Sequence, residues 1–129
     1  MLEKSGRVIL VVDDNHDAAD TLALLIRMEG HEVMVAYDTQ SGIALADVSV
    51  PDLIFHDIGL PIMCGYAAAR HFRGDQKFAK TTLVAVTAYN ATYDRKCAQM
   101  AGFDIHLAKP VDFEVLKEVL ARPRRTMSA

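Results

Sequence analysis

Five polar residues of this chain could act together on a phosphoryl group. Asp13 and Asp14 follow one short apolar run, Asp57 follows another, and Thr87 and Lys109 each follow a further one. Carboxylates bind hard divalent cations, and an ammonium or a hydroxyl can pair with phosphate oxygens. This set of groups suits the attack of a carboxylate on phosphorus, which gives an aspartyl phosphate.

The three carboxylates need a positive partner if the fold gathers them. Two like charges ~4 Å apart repel by about 4 kcal/mol at an effective dielectric near 20. Lys109 offers one positive charge, whereas a divalent cation offers two and prefers oxygen ligands. We therefore expect a metal site at Asp13, Asp14 and Asp57, with Mg²⁺ as the natural ion and Mn²⁺ as an alternative.

Each of these residues, taken alone, has an ordinary structural role. An Asp pair before a helix is usually a cap near the positive end of the helix dipole. A single Asp or Thr at a strand end is usually a turn or capping residue, and a Lys before Pro is usually solvated. The functional interpretation depends on finding all five in order, each at a predicted strand end.

Apolar runs and helical periods alternate along the chain. Short apolar runs predict strands over residues 7–12, 53–57 and 82–87, and alternation predicts a strand over 31–37. A weaker pattern predicts a fifth strand over 104–108. Helical spacing predicts helices over residues 15–29, 39–48, 66–72, 91–101 and 112–120, and residues 73–80 are predicted as a polar loop. Asp14 or Asn15 is expected to cap the first helix, Asp112 to cap the last, and Gly30 and Gly102 to end two helices.

This alternation predicts an α/β fold with a parallel sheet covered on both faces. Ligands of such open sheets bind outside the carboxyl ends of the strands. All five polar residues fall at that edge, so we expect them to meet there.

Length and composition limit the classes of protein. A chain of 129 residues fits one domain, predicted over residues 1–121, with a basic tail over 122–129. The formal net charge of −3 gives no basic field, so we expect no direct nucleic acid binding. No signal peptide and no stretch of ~20 apolar residues is seen, which predicts a cytoplasmic protein without a membrane segment. Cys64 and Cys97 lack a C-x-x-C spacing and are expected to be ordinary thiols.

Four segments together resemble the response-regulator receiver family of two-component signalling. They are VVDDN at 11–15, DLIFHDIGLP at 52–61, VTA at 86–88 and KP at 109–110, and the likeness runs from residue 8 to about 120. The resemblance implies a doubly wound, flavodoxin-like (βα)5 fold with sheet order 2-1-3-4-5. Both single-domain chemotaxis regulators and hybrid histidine kinase receivers are similar, and the run DNHDAADTL at 14–22 favours the latter.

The resemblance also implies roles for single residues around the metal. Asp57 matches the phosphoacceptor and Asp14 the direct metal ligand. Asp13 matches a ligand that acts largely through water, and Gly59 the residue whose backbone carbonyl completes the metal site.

Further positions match the phosphoryl-binding and switch residues of the family. Thr87 matches the switch hydroxyl, Lys109 the family lysine, and Pro110 the residue after an expected cis peptide bond. His106 departs from the pattern, since many members carry an inward-turning Tyr or Phe there. Tyr89 is expected to shield the phosphoryl group in part.

His56 lies directly before the predicted phosphoacceptor. Alternation along a strand points its side chain to the face opposite that of Asp57. We therefore interpret His56 as a packed structural residue and not as a phosphodonor.

The function that the resemblance implies is a phosphorylation switch. A histidine kinase or histidine phosphotransfer protein supplies the phosphoryl group, and the domain catalyses only its own phosphorylation and dephosphorylation. The added charge then shifts a pre-existing equilibrium and changes the partner-binding surface.

The donor is expected to dock on the first helix, and the readout surface is expected at the helix over 91–101, the fifth strand and the last helix. A monomer or weak dimer is expected.

Three other functions are alternatives for this chain. A magnesium-dependent phosphatase with an aspartyl nucleophile usually has a second acid two residues later, where this chain has Gly59. A nucleotide- or flavin-binding module would need a Gly-rich loop after the first strand, where Asp13 and Asp14 stand. A receiver-like module that works without phosphorylation would not need the complete set of five polar residues.

Overall fold

A computed structural model of the chain describes residues 6–58, 65–87 and 102–122. The strands are β1 (Val8–Val12), β2 (Glu32–Ala36), β3 (Leu53–Asp57), β4 (Thr82–Thr87) and β5 (Ile105–Ala108). The α-helices of the described residues are α1 (His16–Met28), α2 (Thr39–Val48), α3 (Gly65–Arg73) and α4 (Phe113–Ala121). The helix predicted over residues 91–101 lies outside the described residues.

The strands form one parallel sheet in the order β2-β1-β3-β4-β5, which confirms the predicted fold class and strand order. The register sets His56 opposite Ala85 and Asp57 opposite Val86 in β4. Because the strands run in the same direction, the residues that follow them emerge at one edge of the sheet.

Helices cover both faces of the sheet, which explains why the strands are apolar throughout. Ile9 and Val11 pack with α1 and α4 on one face, whereas Leu10 and Val12 pack with α2 and α3 on the other. Adjacent strand residues therefore enter different cores, as parallel sheets require.

Side-chain caps begin the helices next to the carboxyl edge. Asn15 caps α1, since its side chain accepts a 3.0 Å hydrogen bond from the Ala18 amide. Asp112 caps α4 in the same way, by accepting from the amides of Glu114 and Val115. Gly30 follows α1 with φ +93°, a conformation that favours glycine, as the sequence predicts.

The prediction of a polar loop over residues 73–80 was wrong. A short 3-10 helix, Gln76–Phe78, lies there, and Phe78 is fully buried against Phe72. Arg73 explains the order of this segment, because its guanidinium donates to the carbonyls of Phe78 and Thr81 and pairs with Asp104 at 2.6 Å. One buried aromatic among polar neighbours carries no periodic signal, which is why the sequence pattern missed this helix.

Among the described residues, no helix has both the length and the apolar character needed to cross a bilayer.

Candidate functional site

Three carboxylates meet at the carboxyl edge of the sheet. Asp13 and Asp14 follow β1 and Asp57 ends β3, and one carboxylate oxygen from each lies within 4.8 Å of the others. Asp13 is buried, Asp57 is partly buried and Asp14 is exposed, so the cluster opens to solvent on the side of Asp14. The expected gathering of these three residues is therefore present in the structure.

The carboxylate of Asp13 is held at both oxygens. Oδ1 accepts a 3.0 Å hydrogen bond from the Asn15 amide at the start of α1. Oδ2 accepts a 2.7 Å hydrogen bond from the Nζ of Lys109. The start of α1 and the lysine side chain thus orient the Asp13 carboxylate without a bound cation or phosphoryl group.

The ammonium of Lys109 contacts two of the three carboxylates. Its Nζ lies 2.7 Å from Asp13 and 3.5 Å from Oδ2 of Asp57. Burial lowers the pKa of Lys109, but the hydrogen bond to Asp13 and the charges of Asp57 and Asp13 outweigh burial, so the pKa is raised above its usual value. The ammonium therefore stays charged at neutral pH.

The backbone of Lys109 also has a hydrogen-bond partner at the strand ends. Its amide donates a 2.7 Å hydrogen bond to the carbonyl of Thr87, which ties the ends of β4 and β5 together. The peptide bond between Lys109 and Pro110 is cis.

Strand alternation explains why Asp57 and Lys109 meet. Phe55 and Leu107, two residues before them, both pack on the face covered by α1 and α4. Side chains two positions apart on a strand point to the same face. Asp57 and Lys109 therefore continue the same two rows beyond the core.

Thr87 and His106 belong to the other face. Thr87 ends β4 next to the strand that carries Asp57, and its side chain is buried. His106 is partly buried in β5 opposite Ala85, which packs in the core beneath α2 and α3. Gly59 and Tyr89, the other two positions predicted to take part, lie outside the described residues.

His56 is buried on the same face, as alternation predicts, with only 1% of its surface exposed. Its Nε2 lies 3.0 Å from the hydroxyl of Thr39, and its Nδ1 lies 2.7 Å from the carbonyl oxygen of Asp57. Burial lowers the pKa of His56 to about 4, against the opposing effects of the Asp57 carbonyl and the Asp13 charge. The ring is therefore neutral at pH 7. Thr39 was not predicted to be near the site, and the only signal was a histidine at the end of an otherwise apolar strand.

An apolar groove of about 570 Å³ opens beside the carboxylates. Asp13 and Lys109 stand at its polar end. Its walls come from α1 and from the segment between β5 and α4: Ala18, Thr21, Leu22, Leu25, Pro110 and Val111. The groove therefore meets the acidic cluster at Asp13.

The residues present fit a hard divalent cation. Three carboxylates close together with one ammonium leave a net negative site made of oxygen ligands, which is the donor set that magnesium and manganese favour.

Comparisons with known proteins agree with this geometry. The family model for the response regulator receiver domain matches residues 9–121. Protein PilH of Pseudomonas aeruginosa is 30% identical over 112 residues, covering 87% of this chain and 93% of PilH. The DNA-binding dual master transcriptional regulator RpaA of Synechocystis is 34% identical over 116 residues, 90% of this chain, but the chain spans only 47% of that regulator.

Solved structures show the same architecture. The receiver domain of sensor histidine kinase PA1611 from Pseudomonas aeruginosa, solved with a magnesium ion coordinated in its active-site cleft, is 30% identical, with a TM-score of 0.81 over 89% of this chain and 94% of that one. The receiver domain of Ssk1 from Saccharomyces cerevisiae, crystallised with the histidine phosphotransfer protein Ypd1, is 26% identical, with a TM-score of 0.79 over 89% of this chain and 86% of that one. Together with the strand order and the carboxylate cluster, these matches show that the chain belongs to the response regulator receiver domain family of two-component signalling proteins.

Proposed function

We propose that Asp57 is the phosphoacceptor of this receiver domain. The observation that carries the proposal is the contact of one ammonium, that of Lys109, with both Asp13 and Asp57 at a solvent-open strand edge. Of the two carboxylates that contact Lys109, Asp13 is buried and held at both oxygens, whereas Asp57 is only partly buried at the end of its strand. Asp57 is therefore the carboxylate placed to attack an incoming phosphorus atom.

The transfer that fits this site is an in-line displacement on a phosphohistidine. A carboxylate oxygen of Asp57 forms a bond to phosphorus while the bond from phosphorus to the donor's imidazole nitrogen breaks, and that nitrogen keeps the electron pair. Lys109 lies where it can neutralise charge on the transferred group, and Thr87 lies at the end of the neighbouring strand. The product is an aspartyl phosphate. Water that attacks its phosphorus atom breaks the bond to the Asp57 oxygen, releases inorganic phosphate and returns the starting carboxylate.

The cation that belongs to this proposal is Mg²⁺, with Mn²⁺ as an alternative. Asp13, Asp14 and Asp57 would hold it, and the family resemblance adds the backbone carbonyl of Gly59 as a further ligand. When bound, the cation neutralises the carboxylates and the phosphoryl oxygens that approach them. The magnesium ion in the PA1611 receiver supports this choice.

The proposed activity is signalling, with catalysis limited to the domain's own modification. The new dianion beside Lys109 would draw in Thr87, and His106 on the same sheet face would take the place of the family's aromatic residue in the response. Tyr89 is proposed to shield the phosphoryl group in part.

The proposed donor is a histidine kinase or a histidine phosphotransfer protein. The groove between α1 and the segment before α4 ends at Asp13 and Lys109, so a helix that lies in it would carry a phosphohistidine toward the cluster. The complex of the Ssk1 receiver with Ypd1 supports a donor of this kind.

Beryllofluoride, which mimics an acyl phosphate, tests the phosphoacceptor assignment. With magnesium present, it is expected to shift the amide resonances of residues around Asp57, Thr87 and Lys109 in the wild-type protein. The Asp57→Asn variant should show no such shifts. Identical responses in the two proteins would show that Asp57 is not the acceptor.

A further inference from the structure

His56 contacts the backbone of the proposed phosphoacceptor directly. Its Nδ1 lies 2.7 Å from the carbonyl oxygen of Asp57. A carbonyl oxygen can only accept a hydrogen bond, so the proton of the neutral ring must be on Nδ1. Nε2 is then an acceptor, and the hydroxyl of Thr39 at 3.0 Å must donate to it.

This contact holds one end of a peptide group whose other end is also held. The carbonyl of the Asp57–Ile58 peptide accepts from His56, and its amide, that of Ile58, donates a 3.1 Å hydrogen bond to the carbonyl of Val86 in β4. A peptide group fixed at both ends cannot rotate without breaking a hydrogen bond. The direction in which the chain leaves β3 at Asp57 is therefore determined from both sides.

The hydrogen bond from Thr39 to Nε2 connects the His56 ring to α2. Thr39 is the first residue of this helix and is 4% exposed, and the preceding Asp38 caps the helix by accepting from the Ser41 amide at 2.8 Å. The helix can lie close to the sheet because Gly42 has no side chain. A Cβ at that position would come within 2.8 Å of the Cγ2 of Val12.

His56 is a polar residue in a buried, apolar strand. The other buried residues of β3 are apolar, and an apolar side chain would fill the same space without the cost of removing two ring nitrogens from water. Both nitrogens have protein partners, so the ring is compatible with burial. What it adds over an apolar residue is the hydrogen bond to the Asp57 carbonyl.

We propose that His56 is a positioning residue for phosphorylation, which orients Asp57 through an Nδ1–H···O=C hydrogen bond and links it to the start of α2 through Thr39. The inference rests on the proposed role of Asp57 as phosphoacceptor. His56 itself neither donates nor accepts the phosphoryl group.

The first test reads the tautomer and does not depend on phosphorylation. Long-range ¹H–¹⁵N correlation spectra of the wild-type protein at pH 7 should show the His56 ring with a protonated Nδ1 and an unprotonated Nε2. The Thr39→Val variant should shift the Nε2 resonance, because it removes the hydroxyl donor. A ring protonated on Nε2 would overturn the proposal.

The second test measures the rate at which acetyl phosphate, with magnesium, modifies Asp57. His56→Leu should slow this reaction about tenfold, because small displacements of reacting groups have large effects on rate. His56→Asn should stay within about threefold of wild type, because its amide nitrogen can take the place of Nδ1 and donate to the Asp57 carbonyl. His71→Leu, a change at an exposed histidine of α3, should react like wild type.

Rates are compared only between proteins shown by urea unfolding to be folded, so a general loss of structure is not mistaken for a loss of positioning. If His56→Leu does not fold, the comparison of His56→Asn and Thr39→Val with wild type takes its place, and Thr39→Val should react severalfold more slowly. Equal rates in the folded variants would overturn the positioning role. Absence of modification in wild type itself would instead contradict the phosphoacceptor assignment, and the tautomer would still decide the inference about His56.

Discussion

The Nζ of Lys109 lies 2.7 Å from Oδ2 of Asp13, although 96 positions separate the two residues in the chain. The hydrogen bond connects the residues that follow β1 and β5 at the carboxyl edge of the sheet. The same ammonium lies 3.5 Å from Oδ2 of Asp57, which ends β3. Lys109 thus compensates the acidic cluster and also stands where a phosphoryl group would arrive.

Lys109→Met should therefore slow phosphorylation of Asp57 by acetyl phosphate about a hundredfold, since it removes a preorganised charge from the site of reaction. The rate can be measured by the accumulation of modified protein in intact-mass spectra. Lys117→Met is the matched control, because Lys117 lies on α4, where it pairs with Glu114 and contacts the ring of Phe113. Equal slowing in both variants would remove the case for a specific role of Lys109.

Asp14→Asn should weaken magnesium binding while leaving the fold intact, because Asp14 is the exposed member of the cluster. Wild-type protein with magnesium at ten times its Kd should gain about 1.4 kcal/mol, a rise of several degrees in Tm. The variant should show little of this rise. Without magnesium its Tm should be slightly higher than that of wild type, because one of three like charges has been removed.

Glu118→Gln controls for a general effect of charge, since Glu118 is exposed on α4 and lies outside the carboxylate cluster. A magnesium-induced rise in Tm that is the same in Asp14→Asn and in wild type would show that the ion binds elsewhere.

The burial of His56 should make the protein less stable in acid. Its pKa in the folded protein is lowered from 6.5 to about 4, so between these values the unfolded state binds a proton that the folded state does not. The free energy of unfolding should therefore fall as pH falls from about 6.5 to 4, by about 3 kcal/mol from this residue. Urea unfolding of metal-free protein across this range measures the slope.

The dependence of the free energy of unfolding on pH should be much weaker in His56→Asn, which has no imidazole to protonate at this position. It should be unchanged in His71→Asn. A slope of equal size in His56→Asn would assign the acid sensitivity to other groups.

A bulky charge in the groove should block the phosphodonor without affecting chemistry at Asp57. Thr21 is exposed on α1 and lines the groove, so Thr21→Arg should reduce transfer from a phosphorylated histidine phosphotransfer protein at least tenfold. Its reaction with acetyl phosphate should match that of wild type, since so small a donor does not need the groove.

Val48→Arg is the control for this experiment, because Val48 is 88% exposed at the end of α2, on the opposite face of the sheet. Unchanged protein-to-protein transfer in Thr21→Arg would place the donor on another surface.

Much of the fold and of the site could be predicted from the order of apolar runs. The apolar runs before Asp13 and Asp57 predicted two of the strands. Because ligands of open parallel sheets bind at the carboxyl ends of the strands, the two residues were predicted to lie together there. Alternation also placed His56 on the face away from Asp57, where the structure has it.

Other features depend on contacts that have no periodic signature. The hydrogen bond between His56 and Thr39 joins residues 17 positions apart on different elements, and nothing in either local pattern predicts it. The buried Phe78 was missed because its order comes from the guanidinium of Arg73. The roles predicted for Gly59 and Tyr89, and the domain boundary at residue 121, stay predictions.

The most direct measurement is the location of the phosphoryl group itself. Wild-type protein is incubated with magnesium and acetyl phosphate, the acyl phosphate is reduced with borohydride, and the modified residue is identified by peptide mass spectrometry. The account predicts a single modified residue, Asp57, and no modification in Asp57→Asn. Modification at another residue, or equal modification of the two proteins, would contradict it.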